Sequence, residues 1–138
     1  MKKVYVGIDP DIDKSGFDVW DKNNLNLRTL CFWDLVNELY SLNKTSDLKV
    51  MIEAGWLIKK SNWHKSNGKL QSEKIAKNVG MNHQTGILIK EFCEYKNIKF
   101  ELVKPKGKLK AETFNKITNY QGRTNQEKRD AAMLVFGM

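Results

Sequence analysis

Cysteine is scarce in this chain: Cys31 and Cys93 are the only two among 138 residues. Their spacing matches no disulfide framework and no metal motif, and both lie in apolar surroundings, so buried reduced thiols are expected. That argues against a small disulfide-stapled fold and for a reducing, intracellular, cytoplasmic setting. Long apolar runs are missing too. No stretch approaches the ~20 residues that cross a bilayer, so no membrane association is expected. Met1-Lys2-Lys3 leads straight into an apolar run, without the hydrophobic segment and cleavage site of a secretory signal. Histidine is limited to His64 and His83. Neither has metal-ligand spacing, so surface or interface roles are expected of both. No His or Cys is placed as a nucleophile. Repeats, low-complexity tracts and long linkers are also absent, so residues 1–138 are expected to form a single domain, long enough to bury a core without staples.

Acidic residues are outnumbered, with 16 Asp+Glu against 24 Lys+Arg and a net charge of +8. The imbalance is uneven. Residues 104–129 hold eight basic side chains and two acidic ones, whereas residues 9–21 hold five aspartates and one lysine. A basic surface beside an acidic segment fits an enzyme that binds a polyanion and also holds metal ions. A merely solubilising lysine excess is the plainer alternative.

Apolar patterning predicts an alternating α/β chain. Residues 3–9 read as a buried strand stopped by Pro10. Residues 16–20 alternate as a half-buried second strand, and residues 25–33 form a third, with Leu27, Leu30 and Phe32 available to the core. Leu35, Val36, Leu39 and Tyr40 recur at helical spacing over residues 34–42. Residues 48–53 are a short strand and residues 54–71 an irregular loop. Residues 72–95 read as one long helix or two, interrupted near Gly80 or Gly86, with Ile75, Val79, Ile87, Leu88 and Phe92 as its apolar set. A strand over 98–103 and helices over 109–117 and 125–136 follow. The fold class expected is α/β, a mixed five-stranded sheet with three antiparallel strands, then two parallel ones, and helices on both faces.

Four carboxylates then stand out. Asp9 closes the run Val4-Tyr5-Val6-Gly7-Ile8, and Glu53 closes Leu48-Lys49-Val50-Met51-Ile52. A carboxylate ending a buried strand is costly unless its charge is compensated. If these strands are neighbours, both acids meet at one sheet edge. Glu127 and Asp130 lie three apart and share a helix face. Gathered together, four acids would repel each other unless divalent ions lay between them. An oxygen-only donor set favours Mg²⁺ or Mn²⁺ over zinc. Two such ions about 3.5–4 Å apart suit phosphodiester hydrolysis. Structural alternatives exist for single residues: Asp9-Pro10 can begin a turn, and Thr124-Asn125-Gln126-Glu127 matches a capping box with Thr124 as cap and Glu127 reaching back.

Gly7-Ile8-Asp9-Pro10, then Ile52-Glu53, then Asp130-Ala131-Ala132 on a terminal helix resemble the RuvC family of Holliday-junction resolvases, within the ribonuclease H-like superfamily. The resemblance spans nearly the whole chain in element order and about a dozen residues in motifs. It implies a ribonuclease H-like fold in which Asp9, Glu53 and Asp130 bind metal and act catalytically. Glu127 occupies the position of a further acid or histidine of the family. Asp11 stands where the family usually has glycine, and Ser15-Gly16 where it usually has Thr-Gly. The implied protein is a compact Mg²⁺- or Mn²⁺-dependent endonuclease of branched DNA, of phage or mobile-element type. It would act as a homodimer through the long helix after residue 72, because symmetric cleavage needs two active sites.

Lys104, Lys106, Lys108 and Lys110 alternate around Pro105 and Gly107 as a phosphate-seeking loop, and Lys108 and Lys110 are the expected contacts. Lys59, Lys60, Lys65 and Lys69 interleave with Trp56 and Trp63, as base-stacking segments do; core plugs or a dimer contact are the alternatives. Two other functions stay open. One is a ribonuclease H-like nuclease of RNA or RNA–DNA hybrid, which would recruit an acid on the first helix such as Glu38. The other is a non-catalytic nucleic-acid-binding module.

Overall fold

The structure, a computed structural model, describes residues 1–58 and 69–138, with Lys69 and Leu70 described by backbone alone. Its strands are β1 (Lys3–Asp9), β2 (Ser15–Trp20), β3 (Leu25–Leu30), β4 (Asp47–Glu53) and β5 (Lys99–Val103). Its helices are α1 (Phe32–Thr45), α2 (Lys69–Tyr95), α3 (Ala111–Thr118) and α4 (Gln126–Ala132), with a 3₁₀ turn over Gly55–Leu57. The five strands form one sheet in the order β3-β2-β1-β4-β5. β2 is antiparallel to both β1 and β3, while β1, β4 and β5 run parallel. This is the mixed sheet expected from the residue pattern. Among the described residues, no helix is long and apolar enough to cross a membrane.

Side-chain alternation assigns the two faces. Val4, Val6 and Ile8 of β1 pair in register with Leu48, Val50 and Ile52 of β4. These six residues pack against Leu35, Val36 and Leu39 of α1 and Ile89 and Cys93 of α2. The other face receives α4, with α3 beyond it; Leu27, Phe114 and Ala132 form its small apolar cluster. Here the sheet has glycine where contact is tightest. A methyl on Gly7 would come within 2.0 Å of the Ala131 carbonyl oxygen, and one on Gly16 within 2.2 Å of that of Glu127. α4 therefore lies almost backbone to backbone on β1 and β2.

Several boundaries differ from the sequence expectation. β3 ends at Leu30, not residue 33, because α1 begins at Phe32 and the Leu35 N–H bonds the Cys31 carbonyl at 2.9 Å. Trp33 is consequently 73% exposed. β2 is buried on both faces rather than half-buried, since α4 covers its polar side. Asp18 lies in that layer, fully buried, with Oδ1 accepting the Arg28 N–H at 3.2 Å. Burial is the main cause that pushes its carboxyl up to about 9. α2 is one continuous helix through Gly80 and Gly86. Its inward residues are Thr85, Ile89 and Cys93, at i, i+4 and i+8, so Val79 and Leu88 are left exposed, as is Tyr40 of α1. α4 ends at Ala132, and bonds from Leu134 to Ala131 and from Val135 to Ala132 tighten the chain beyond it. The capping box does not form: Asn125 is the N-cap, its side chain accepting the Lys128 N–H at 2.9 Å. The Thr124 hydroxyl instead accepts from Arg129 at 2.8 Å.

Gly7→Ala should lower unfolding free energy by about 1–3 kcal/mol, because the clash is with helix backbone that cannot rotate away. Gly80→Ala, where nothing lies within 4 Å of the added methyl, should raise it by about 0.5–1 kcal/mol. Urea denaturation of the two variants beside the parent checks both signs; equal effects would refute the close-contact account.

Candidate functional site

Parallel pairing of β1 with β4 places Ile8 opposite Ile52, so the next residues, Asp9 and Glu53, end the two strands side by side at the sheet's carboxyl edge. They follow the alternation of Gly7 and Met51, onto the face that α4 covers. α4, seated on Gly7 and Gly16, brings in Asp130. One carboxylate oxygen from each of Asp9, Glu53 and Asp130 lies within 4.8 Å of the others. Among the described residues these three are the group placed to hold a metal ion. Glu127, one turn earlier on α4, is outside it: the turn that carries it lies over Gly16 of β2. The expected quartet is thus a triad in this arrangement.

The triad is braced from behind. The Gln126 amide donates to Asp130 Oδ1 at 2.7 Å, one helical turn away. Arg129 ties the same helix to the chain before α3, donating to the Leu109 carbonyl at 2.9 Å. The ammonium of Lys108 reaches 4.0 Å from Asp130 Oδ2, with the lysine exposed and the aspartate largely covered. Burial first, then repulsion from Glu53 and Asp130, pushes the Asp9 carboxyl up to about 9, and Lys108 only partly offsets this. A site that disfavours its own ionised form without a cation is electrostatically suited to receive one. Its donors are hard oxygens alone, which fit Mg²⁺ or Mn²⁺.

Beside the triad lies a cavity of about 510 Å³. Lys106 and Lys108 line it together with Asp9 and Glu53, whereas Lys104 and Lys110, also exposed, are not part of its lining. Lys110 is the N-cap residue of α3. Lys59, Lys60, Trp63, His64 and Lys65 lie outside the described residues, as does the side chain of Lys69. Sequence reasoning missed the far wall. Asn82 and His83 of α2 line the same cavity, so His83 is not simply a surface residue. Asn82 Oδ1 accepts the Ile12 N–H at 2.9 Å, just beyond Asp9, and the His83 ring packs edge-on to Trp56 with centroids 6.3 Å apart. The available signal was Asn82-His83 standing one turn before Gly86. Glu38, the acid considered for a ribonuclease H arrangement, is instead paired with Arg28 at 3.0 Å.

No protein-family model and no curated protein matches the chain. Among solved structures, the chain is similar to RuvC of T. thermophilus, determined in complex with a Holliday junction substrate. The TM-score is 0.51 with 15% sequence identity, over 96% of this chain and 89% of that one. The fold is therefore RuvC-like, of the ribonuclease H-like α/β type.

In metal-free buffer, Asp9 binds its proton more tightly in the folded form than in the unfolded chain. Its contribution to stability is full below about pH 4 and is lost as pH rises towards about 9. Asp18 acts in the same direction. Asp9→Asn should therefore melt higher than the parent at pH 8 without metal, with the gap closing towards pH 4. Mg²⁺ should raise the parent's melting temperature more than the variant's. Calorimetry across this pH range checks both, and a gap independent of pH would contradict the assignment.

Proposed function

We propose that this protein is a Mg²⁺- or Mn²⁺-dependent endonuclease of branched DNA, acting on four-way junctions. The observation that carries the proposal is the convergence of Asp9, Glu53 and Asp130 from β1, β4 and α4 beside a lysine-rimmed cavity. The net charge of +8 suits a polyanion, and the fold likeness is to a protein solved with a Holliday junction.

In this reading Asp9, Glu53 and Asp130 would hold the ions, two per site, with Glu127, three residues before Asp130 on α4, as the further acid. Bound divalent cations supply polarisation of the phosphodiester and acidification of the attacking water. The protein's own residues do the rest. Lys106 and Lys108 draw the phosphate into the cavity and offset its charge. Lys104, Lys110, Lys59 and Lys60 extend contact along the backbone. Gln126 fixes the rotamer of Asp130, so the carboxylate needs little reorganisation. Water attacks phosphorus, one P–O ester bond breaks, and a phosphate monoester and a hydroxyl result. No covalent enzyme intermediate is formed. A homodimer supplies the two sites that paired nicks require, with α2 as its candidate contact through Leu88 and Tyr95, which lie outside the cavity lining.

Asp130→Asn should reduce cleavage of a labelled four-way junction by about 10²–10³-fold or more, the scale of losing a key electrostatic group, while junction binding stays close to that of the parent. Symmetric paired nicks by the parent, absent on linear duplex, flap and RNA–DNA hybrid controls, are the expected pattern. Cleavage confined to RNA strands would replace the junction reading with the ribonuclease one. No cleavage with either ion would leave a binding module.

A further inference from the structure

Asp9 and Glu53 end neighbouring strands, yet the register of β1 with β4 runs only as far as Ile8 and Ile52. Beyond it each acid is paired outward, Asp9 with Gly16 of β2 and Glu53 with Val103 of β5. The ladder between the two strands therefore stops one residue short of the acids. One turn of α2 spans that gap. Gly86 is buried inside this helix, where glycine is a weaker helix former than alanine. A methyl there would fall 2.5 Å from the Trp56 ring and 3.0 Å from Pro10 Cγ. Pro10 follows Asp9 directly, and Trp56 is the third residue after Glu53. Asn82, four residues before Gly86 and on the same helix face, accepts the Ile12 N–H through Oδ1 at 2.9 Å. His83 lies against Gly55, where a methyl would come within 2.8 Å of its Nε2. Ile89 and Cys93, one to two turns further along α2, are fully buried in the main core and hold the helix in place.

We infer that the turn of α2 from Asn82 to Gly86 is a positioning element of the metal site, with Gly86 as its principal positioning residue. It holds the chain after Asp9 and the chain after Glu53 against one rigid helix, and so sets the separation of the two carboxylates. The inference rests on the metal-dependent reading and adds to it residues outside the ligand set. Helix packing alone would account for a glycine at a single close approach. Here the two rings that meet Gly86 come from separate segments, each leaving an acid-bearing strand. Asn82 and His83 repeat the arrangement one turn earlier, Asn82 on the first segment and His83 on the second. α4 brings Asp130 to one face of the sheet, while Ile89 and Cys93 of α2 pack on the other. Two helices on opposite faces thus locate the three acids. Carboxylates gathered this closely repel, so their spacing persists only where the backbone that carries them is held from outside. Groups that orient ligands from behind commonly change metal affinity by about 10–100-fold when they are altered.

The test is Mn²⁺ binding to the metal-free protein, followed by electron paramagnetic resonance of the free ion well below every melting transition. Gly86→Ala forces the Trp56 ring and Pro10 to move. Asn82→Ala releases Ile12 without adding bulk, and it decides the matter if Gly86→Ala does not fold. Val36→Ala, which opens the main core at α1, is the control for lost stability alone. The parent should bind Mn²⁺, and both α2 variants should bind it about tenfold more weakly. Val36→Ala should melt lower than the parent and bind Mn²⁺ as the parent does. Parent-like affinity in a folded Gly86→Ala (or in Asn82→Ala, where that variant decides) would overturn the positioning role while leaving the metal site standing. A loss in Val36→Ala as large as theirs would do the same. Because the readout is binding, the result holds whether or not the parent cleaves a junction, and absent cleavage counts against the nuclease reading alone. A parent that binds no Mn²⁺ removes the metal-dependent reading and this inference with it.

Discussion

Three carboxylates with oxygens within 4.8 Å of one another, partly removed from water, repel each other. Left alone the site favours taking up a proton, the direction in which burial and the neighbouring acids push Asp9. Much of the surrounding structure opposes splaying. Asp9 and Glu53 cannot move apart because each ends a strand whose preceding residues are hydrogen-bonded in register and locked into the main core. Asp130 cannot swing away because Gln126 holds its Oδ1 and Arg129 holds its helix. The apolar core thus sustains an arrangement that electrostatics alone would disperse, which is how strain and charge are commonly retained at functional sites.

The same geometry depends on distance between backbones. α4 is short, Gln126–Ala132, and helices of that length have little intrinsic stability. Its position comes from contact. Gly7 and Gly16 remove the two side chains that would hold it off the sheet, and Ala131 and Ala132 supply small, fully buried surfaces in return. Asn125 caps it, while Arg129 pins it to the segment before α3. Residues with no chemistry of their own therefore set where Asp130 stands. Asp18 shares this layer and is more deeply buried than the triad acids; it adds a second acid whose ionisation opposes folding.

The sheet was legible because its signals are local. Val4, Val6 and Ile8 alternate, Leu48, Val50 and Ile52 alternate, and the helices between parallel strands leave few topologies. Asp9 and Glu53 were legible as a pair for the same reason, since each terminates such a run. Asp130 was legible from its place before the apolar run Ala131-Ala132 and from the resemblance, but the helix spacing it shares with Glu127 gives a common face without saying where that face is aimed. The seating of α4 on the two glycines decides that: it brings Asp130 to Asp9 and Glu53 and leaves Glu127 outside their cluster. The capping expectation failed similarly: Thr124 and Asn125 are both good caps, and the pull of Arg129 on Thr124 selects between them.

The wall formed by α2 was not legible, and the reason is general. Periodicity marks an apolar stripe but cannot say whether a core or a ligand lies against it. On α2 the two functions are divided along the helix: Ile89 and Cys93 enter the core, while Ile75 and Val79, three turns earlier, face the cavity. This division has a consequence for selectivity. Carboxylates and lysines recognise what every phosphodiester shares, so they cannot by themselves distinguish a branch from a duplex. Discrimination therefore needs a surface beyond the acids and the lysine loop. The wall of α2, fastened by Asn82 to the loop after Asp9 and by His83 to the turn after Glu53, lies at a fixed offset from the acids. The distance from this wall to the acids is therefore set by the packing of the fold, independently of the repulsion among the carboxylates.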